Sequence, residues 1–166
     1  MPSKNQSILI GAAVGIVLGL IFGFIASTAG QVGSTLAGCG ACLVSLIAPM
    51  VAVWHYTSTH NLTIPAGQGA GMGAAVGVVS AIVGGLLNQL LIAINILPDP
   101  ITRAREQFEA QGMSAEQIEQ SMGMVEMFSN PITGLIAGLV IGALVGAIGG
   151  AVGAAVFKKG TEDYEV

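Results

Sequence analysis

Apolar residues fill long stretches of this 166-residue chain, and polar residues are confined to short segments between them. Residues 5–98 contain no Lys, Arg, Asp or Glu. The hydrocarbon core of a bilayer is about 30 Å thick and needs about 20 apolar residues in a helix. A 94-residue uncharged stretch is therefore long enough for several crossings. Small and polar residues predict turns within it, at Ser27 to Gln31 and at His55 to Gln68.

Four apolar segments result, each long enough to cross a membrane as a helix. They run approximately from Ser7 to Ala26, Gly33 to Trp54, Gly69 to Leu97 and Ile132 to Phe157. Membrane-spanning strands are shorter and alternate between apolar and polar residues, which these segments do not. We therefore predict an all-α fold, a four-helix transmembrane bundle that forms a single membrane domain over residues 1–166. A cleavable secretory signal is the alternative interpretation of the first segment.

The region from Asp99 to Asn130, between the third and fourth segments, has the pattern of an amphipathic helical hairpin. Asp99 followed by proline is typical of a helix N-terminus, and Gly112 is a suitable end. Ser114 and Gln117 have the spacing of a capping box, which begins a second helix. We expect apolar residues of this hairpin to contact a partner or the membrane surface, namely Phe108, Ile118, Met122 and Val125.

Glycine recurs at every fourth position in three of the four segments, which places a stripe of small residues on one helix face. Such stripes allow helix backbones to approach closely in a membrane, so we predict glycine-zipper packing. The third segment carries the stripe from Gly69 to Gly85 with Ala81 in it, and the second a weaker one that includes Ala41 and Ser45. The glycines expected in the packing faces are Gly11, Gly15, Gly19, Gly23, Gly73, Gly77, Gly134, Gly138, Gly142, Gly146 and Gly150.

Composition and charge agree with a membrane location. Hydrophobic residues make up 53% of the chain and charged residues 8%, against about a quarter charged in a soluble domain. The net charge of −4 and the five scattered basic residues exclude nucleic acid as an expected partner. The expected partners are the lipid bilayer and other membrane subunits or the chain itself. Three lysines near the termini against two arginines in the hairpin favour cytoplasmic termini.

The residues that most often carry chemistry lack the spacing that a site requires. Cys39 and Cys42 form a C-x-x-C within the second segment, where small packing residues are the first interpretation and a thiol function the alternative. His55 lies about 20 Å from Cys42 along a helix, and His60 lies farther away. The two histidines are five residues apart, so they do not form the i, i+4 ligand pair of a helical zinc site. We therefore predict no metal, no cofactor and no catalytic residues, and a protein that is not an enzyme.

Asn88 and Gln89 are the most polar adjacent pair within the apolar segments. Interhelical hydrogen bonding is the first interpretation of this pair, and a polar path across the membrane is the alternative. Pro49 is expected to kink the second helix. The leading functional prediction is a structural or accessory subunit, or a self-associating bundle. The alternative is a channel or transporter for a neutral or apolar solute.

The segment from Gln111 to Pro131, QGMSAEQIEQSMGMVEMFSNP, together with the final glycine-rich helix that ends in FKKG, resembles a bacterial family of four-span membrane proteins. That family is catalogued as domain of unknown function 4199. The resemblance covers the layout of the whole chain, and its specific part is the polar helical insert. It implies the same four-span architecture and supplies no catalytic residues.

Overall fold

Six α-helices and two very short strands make up the described part of the protein. The computed structural model describes residues 3–28, 30–97 and 99–162, and the side chains among them except those of 26–38 and 161–162. The elements, in chain order, are α1 (Asn5–Thr28), α2 (Gly30–His60), β1 (Leu62–Thr63), α3 (Ala66–Ala93), α4 (Pro100–Ala110), α5 (Ala115–Ser129), α6 (Pro131–Val156) and β2 (Thr161–Glu162).

Helices α1, α2, α3 and α6 are long and apolar enough to cross a membrane, which confirms the predicted four-span architecture. Large apolar side chains such as Leu43, Val83 and Leu144 point outward from the bundle. An outward apolar surface on every span is the arrangement that lipid requires, since the hydrocarbon core offers no hydrogen-bond partner to polar side chains. Within each helix the backbone amides and carbonyls bond to one another, apart from the helix ends and the position of Pro49 in α2, which lacks an amide donor.

The helix ends differ from the predicted boundaries by up to three residues at most places and by more at two. Helix α2 continues past Trp54 to His60, so the predicted turn between the second and third spans begins too early. Helix α3 ends at Ala93 rather than at Leu97. Asn95 follows with a φ of 58°, a left-handed conformation that asparagine tolerates better than most residues and that stops a helix.

The four crossings place both described ends of the chain at one end of the bundle, which we call the termini end. There β1 pairs in parallel with β2, in a register that joins Leu62 to Thr161. The hydroxyl of Thr63 also donates a hydrogen bond to the carbonyl oxygen of Lys159 at 3.2 Å. No strand was predicted from the sequence. This pairing fastens the α2–α3 connection to the segment that follows α6.

A buried apolar cluster lies next to this strand pair and draws on three helices and the α2–α3 connection. It consists of Val53, Tyr56, Ile64, Met72 and Ala154. The sequence predicts Trp54 and Tyr56 at the membrane interface. Trp54 is exposed, but Tyr56 is fully buried against the bundle, because the continuing helix turns the two side chains to different faces.

The predicted hairpin, α4 and α5, lies at the opposite end of the bundle, which we call the hairpin end. Its helices begin as the sequence predicts: the carboxylate of Asp99 accepts from the Thr102 amide at 3.2 Å, and Ser114 and Gln117 form both bonds of a capping box. Gly112 adopts a φ of 72° between the two helices, a conformation that glycine adopts without strain. Asn130 then caps α6 by accepting from the amides of Ile132 and Thr133.

Candidate functional site

Helices α3 and α6 make the most extensive helix–helix contact in the protein. They run antiparallel, and glycines face glycines across the contact: Gly69 lies against Gly150, Gly73 against Gly146, and Gly77 against Gly142. A methyl group placed on any of these glycines would collide with a backbone carbonyl of the facing helix. In the termini-end half of this pair, the two helix backbones are therefore in direct contact, with no space for side chains between them.

Helix α6 also contacts α2 through a second glycine face that the sequence analysis did not identify. A methyl group on Gly149 would lie 2.6 Å from the ring of Pro49, and one on Gly153 would lie 3.2 Å from Val53. Pro49 is fully buried at this contact. The signal in the sequence is the four-residue spacing of Gly149 and Gly153, which runs beside the stripe of Gly146 and Gly150.

The glycine stripe of α1 divides into a covered half and an open half. Gly11 and Gly15 lie against Ala48 and Ala52 of α2. Toward the hairpin end, a methyl group on Gly19 or Gly23 would meet no described atom within 4 Å. Among the residues whose side chains the structure describes, the stripe therefore packs within the chain at the termini end only.

The prediction of the small-residue stripe on α2 is wrong, because the face that is buried is shifted by one residue. Ala41 and Ser45 are exposed, whereas Gly40, Val44, Ala48 and Ala52 are buried and form the face toward α1. The difference arises because Pro49 and the residues around it face α6, which fixes the rotation of the helix. Gly33 and Ala37, the other members of the predicted stripe, lie outside the described side chains.

Toward the hairpin end, α3 and α6 separate. A methyl group on Gly138 would still lie 3.9 Å from Ala81, but one on Gly84 or Gly85 would have no neighbour within 4 Å. The hairpin covers the resulting gap. The space bounded by α3, α6 and the hairpin is a cavity of about 910 Å³, which we call the hairpin cleft. A volume of this size lies in the range of small-molecule sites in proteins, about 300–1,000 Å³.

The walls of the hairpin cleft come from α3, α4, α5 and α6 and are mostly apolar. The polar groups are few, and among them are the amides of Asn88 and Gln89. The apolar lining includes Ile82, Leu86, Ile92, Phe108, Met124, Val125, Phe128 and Leu135. An apolar cavity with a small number of polar groups is the usual composition of a site for an apolar or amphipathic molecule.

The structure thus brings together residues that the sequence analysis assigned to separate roles. Asn88 and Gln89, the candidate polar path, line the same cleft as Phe108 and Val125, which were expected to contact a partner or the membrane surface. Gly134 and Gly138 line it too, rather than contacting glycines of α3. Ile118 and Met122 do not line it, and Met122 is buried.

A smaller cavity of about 250 Å³ adjoins the hairpin cleft, since Asn88, Ile92 and Pro100 line both. Arg103 and Gln107 of α4 form its polar wall. The Arg103 Nη2 atom is buried and has no hydrogen-bond partner among the described residues. From the sequence, Arg103 was counted only among the basic residues that predict the orientation in the membrane. Nothing in the sequence shows that α4 folds back against the end of α3.

Ser7 and His55 form a polar contact between α1 and α2 that was not predicted. The Ser7 hydroxyl lies 2.9 Å from His55 Nδ1, and the Ser7 side chain is almost fully buried. A serine nucleophile must be accessible to its substrate, and this hydroxyl is covered by the bundle. The pair therefore links two helices near the termini end.

The remaining candidates for chemistry are dispersed. Cys39 and Cys42 are free and exposed, and the ring of His60 packs edge-on against Tyr56 at 5.0 Å. Among the residues that the structure describes, no three His, Cys, Asp or Glu side chains cluster closely enough to hold a metal ion. The hairpin cleft is therefore the feature with the properties of a binding site.

Comparison with known proteins agrees with the four-span layout. A family model described as a protein of unknown function (DUF4199) matches residues 6–159, which is nearly the whole chain. No curated protein and no solved structure matches the chain significantly. With its four apolar spans and the hairpin between the last two, the chain belongs to the DUF4199 family of proteins of unknown function.

Proposed function

We propose that this membrane protein is a non-catalytic bundle that associates with a second copy of itself through the hairpin-end half of α1 and the adjoining face of α2. The observation that carries the proposal is the hairpin-end part of the α1 glycine stripe: Gly19 is exposed, and a methyl group on Gly19 or Gly23 would meet none of the described atoms within 4 Å. The neighbouring face of α2 exposes the small residues Ala41, Cys42 and Ser45.

Helices in a membrane gain little from burying large apolar side chains, because lipid is equally apolar. Small residues favour association because two backbones then make close van der Waals contact over a long surface. The covered half of the same stripe packs in this manner against α2, with Gly11 beside Ala48 and Ala52. The open half offers an equivalent surface to another helix. We infer that glycine-zipper packing of this kind also holds α3 to α6.

Association is tested by measuring the mass of the protein in mild detergent and in lipid nanodiscs. We expect a species of twice the 16.6 kDa chain mass, and we expect Gly19→Leu with Gly23→Leu to convert it to a monomer. Gly84→Leu is the matched control, since Gly84 also has open space around it but lies on α3. A wild-type monomer at every protein-to-lipid ratio would contradict the proposal. A stable complex with a different subunit would indicate an accessory role instead.

We further propose that the protein resides in a bacterial inner membrane with cytoplasmic termini. Lys4, Lys158 and Lys159 lie at the termini end, and Arg103 and Arg105 lie in the hairpin. Cytoplasmic flanks of membrane helices carry an excess of Lys and Arg, which supports this orientation by one charge. Fusion of a reporter active only in the cytoplasm to the C-terminus is expected to give signal, and a silent fusion that is inserted correctly would reverse the orientation.

The hairpin cleft supports a second candidate, a path for a neutral or apolar solute. Asn88 and Gln89 are the polar groups on its α3 wall. The close approach of α3 and α6 from Gly69 to Gly77 leaves no space between these two helices at the termini end, so transport requires them to separate there. Vesicles reconstituted with Asn88→Leu and Gln89→Leu test this path, and flux equal to that of the wild type would remove both residues from it.

A further inference from the structure

We propose that the hairpin cleft and its adjoining cavity form a binding site for one anionic phospholipid of the surrounding bilayer, with an acyl chain in the cleft and the phosphate at Arg103. This inference shares the cleft with the second candidate function but requires no transport. It is independent of self-association, because the cleft lies between α3 and α6 and the open glycine stripe lies on α1.

The size and lining of the cleft suit an acyl chain. Its volume is about 910 Å³, which is the volume that roughly thirty water molecules occupy in the liquid. The side chains that enclose it include Leu86, Phe108, Met124 and Phe128. An apolar space of this volume next to lipid fills with hydrocarbon more readily than with water, since its walls offer water few hydrogen bonds.

The position of the cleft in the membrane suits a molecule with a charged head. Helix α3 has 28 residues, so it is about 42 Å long and exceeds the hydrocarbon core of about 30 Å. With the helix centred on this core, its last turn, from Leu90 to Ala93, therefore lies at the level of the lipid headgroups, and Asn88 lies just below that turn. Helix α4 begins shortly afterwards, and its first turn brings Arg103 to the same cavity as Asn88.

Arg103 supplies the observation that specifies the head. Its Nη2 atom is buried without a hydrogen-bond partner among the described residues, and a buried donor that lacks an acceptor destabilises a protein. The acidic residues nearest to Arg103 along the chain, Glu106 and Asp99, are exposed, and the Asp99 carboxylate caps α4. A guanidinium group binds phosphate or carboxylate oxygens through two parallel hydrogen bonds. Gln107, in the same wall, adds a further donor.

A long-chain fatty acid has the same chemistry, an apolar chain with an anionic oxygen head. We favour the phospholipid because the cleft lies within the membrane-spanning part of the protein, where bilayer lipid is in large excess. The two sources are distinguished by offering each to the protein separately.

The test measures lipid retention by native mass spectrometry of protein released from nanodiscs that contain equal amounts of phosphatidylglycerol and phosphatidylcholine. We expect one retained phosphatidylglycerol per chain, preferred about tenfold over phosphatidylcholine, because the choline cation of phosphatidylcholine offsets the attraction between its phosphate and Arg103. Arg103→Gln is expected to abolish the preference. Arg105→Gln is the matched control, because Arg105 is exposed, lies on the same helix and lines neither cavity.

A second pair of variants tests the cleft itself. Gly85 lines the cleft and has open space around it, whereas its neighbour Gly84 has open space outside the cleft. Gly85→Leu is expected to reduce retained lipid of both kinds about tenfold, and Gly84→Leu to leave it unchanged. Circular dichroism confirms that each variant is folded.

Three results would overturn the proposal. The first is an equal loss of preference in Arg103→Gln and Arg105→Gln, which would indicate general attraction of anionic lipid. The second is unchanged retention in Gly85→Leu. The third is retention of oleate in a parallel sample together with no retention of phosphatidylglycerol, which would make a free fatty acid the occupant. None of these results depends on whether the chain is a monomer or a dimer.

Discussion

At the scale of single residues, glycine determines which helix surfaces of this protein touch. Gly73 and Gly146 face each other so closely that a side chain on either would strike the backbone of the other helix. Gly84, on the same helix as Gly73, has no neighbour within 4 Å among the described atoms. A larger side chain is therefore expected to disrupt the helix contact at Gly73 and to be accommodated at Gly84.

Replacement of Gly73 by leucine is expected to destabilise the bundle strongly. The added side chain collides with backbone rather than with flexible side chains, and overpacking of a well-packed contact costs about 1–3 kcal/mol. We expect a loss of about 3 kcal/mol for Gly73→Leu and less than about 0.5 kcal/mol for Gly84→Leu. Thermal unfolding in mild detergent, followed by circular dichroism, provides the measurement. Equal unfolding midpoints for the two variants would show that the α3–α6 contact does not hold the bundle together.

The Ser7–His55 hydrogen bond is expected to stabilise the α1–α2 contact slightly. Interhelical hydrogen bonds in membrane proteins average about 0.6 kcal/mol and reach about 1.7 kcal/mol. Ser7→Ala is therefore expected to cost about 1 kcal/mol, because it leaves Nδ1 of the half-buried His55 without its partner. Thr59→Ala, at an exposed position of α2, is the control and is expected to cost almost nothing. The same unfolding assay compares the two variants. An unfolding midpoint of Ser7→Ala equal to that of the wild type would show that this bond does not stabilise the α1–α2 contact.

At the scale of elements, local signals explain the hairpin. Asp99, Ser114 and Asn130 each accept backbone amide hydrogen bonds at a helix N-terminus, and Gly112 makes the turn between α4 and α5. These features involve residues within three positions of one another, so they can be predicted from the sequence. Those at Asp99, Gly112 and Ser114 were predicted, and the cap at Asn130 was not. The starts of α4 and α5 were placed to within one residue for this reason.

Loss of the cap at Ser114 is expected to loosen the start of α5. Replacement of an N-cap serine by alanine costs about 1 kcal/mol, and Ser114 takes part in both bonds of the capping box. Amide hydrogen exchange in the first turn of α5 is expected to become about fivefold faster in Ser114→Ala. Gln120→Ala, at an exposed position in the middle of the same helix, is expected to leave that rate unchanged. Exchange as slow in Ser114→Ala as in the wild type would mean that packing, not capping, fixes this end.

Contacts between distant residues could not be predicted in the same way. The β1–β2 pair joins residues almost a hundred positions apart, as the Thr63–Lys159 hydrogen bond shows. Two-residue strands have no sequence period of their own. Asn88 and Gln89 were identified because polar residues are rare in apolar helices, but the cavity beside them requires α4 and α5 to fold over α3 and α6. The position of Arg103 has the same origin.

At the scale of the whole molecule, the bundle differs between its two ends. The termini end is closed by glycine-to-backbone contact between α3 and α6, by the buried cluster around Tyr56 and by the strand pair. At the hairpin end α3 and α6 separate, and none of the described atoms covers Gly19 and Gly23 of α1. The proposed lipid site and the proposed association surface both lie at this more open end.

All of these proposals depend on one central claim: four crossings, with the hairpin on the side of the membrane opposite to both termini. Sided cysteine labelling tests it most directly. Single cysteines are placed at Ser3, Glu116 and Lys159, which are all exposed, in a chain whose exposed Cys39 and Cys42 are replaced by alanine. In sealed vesicles of one orientation, a membrane-impermeant maleimide is expected to label Ser3→Cys and Lys159→Cys alike and Glu116→Cys only from the other side. Labelling of all three from the same side would contradict the four-span arrangement.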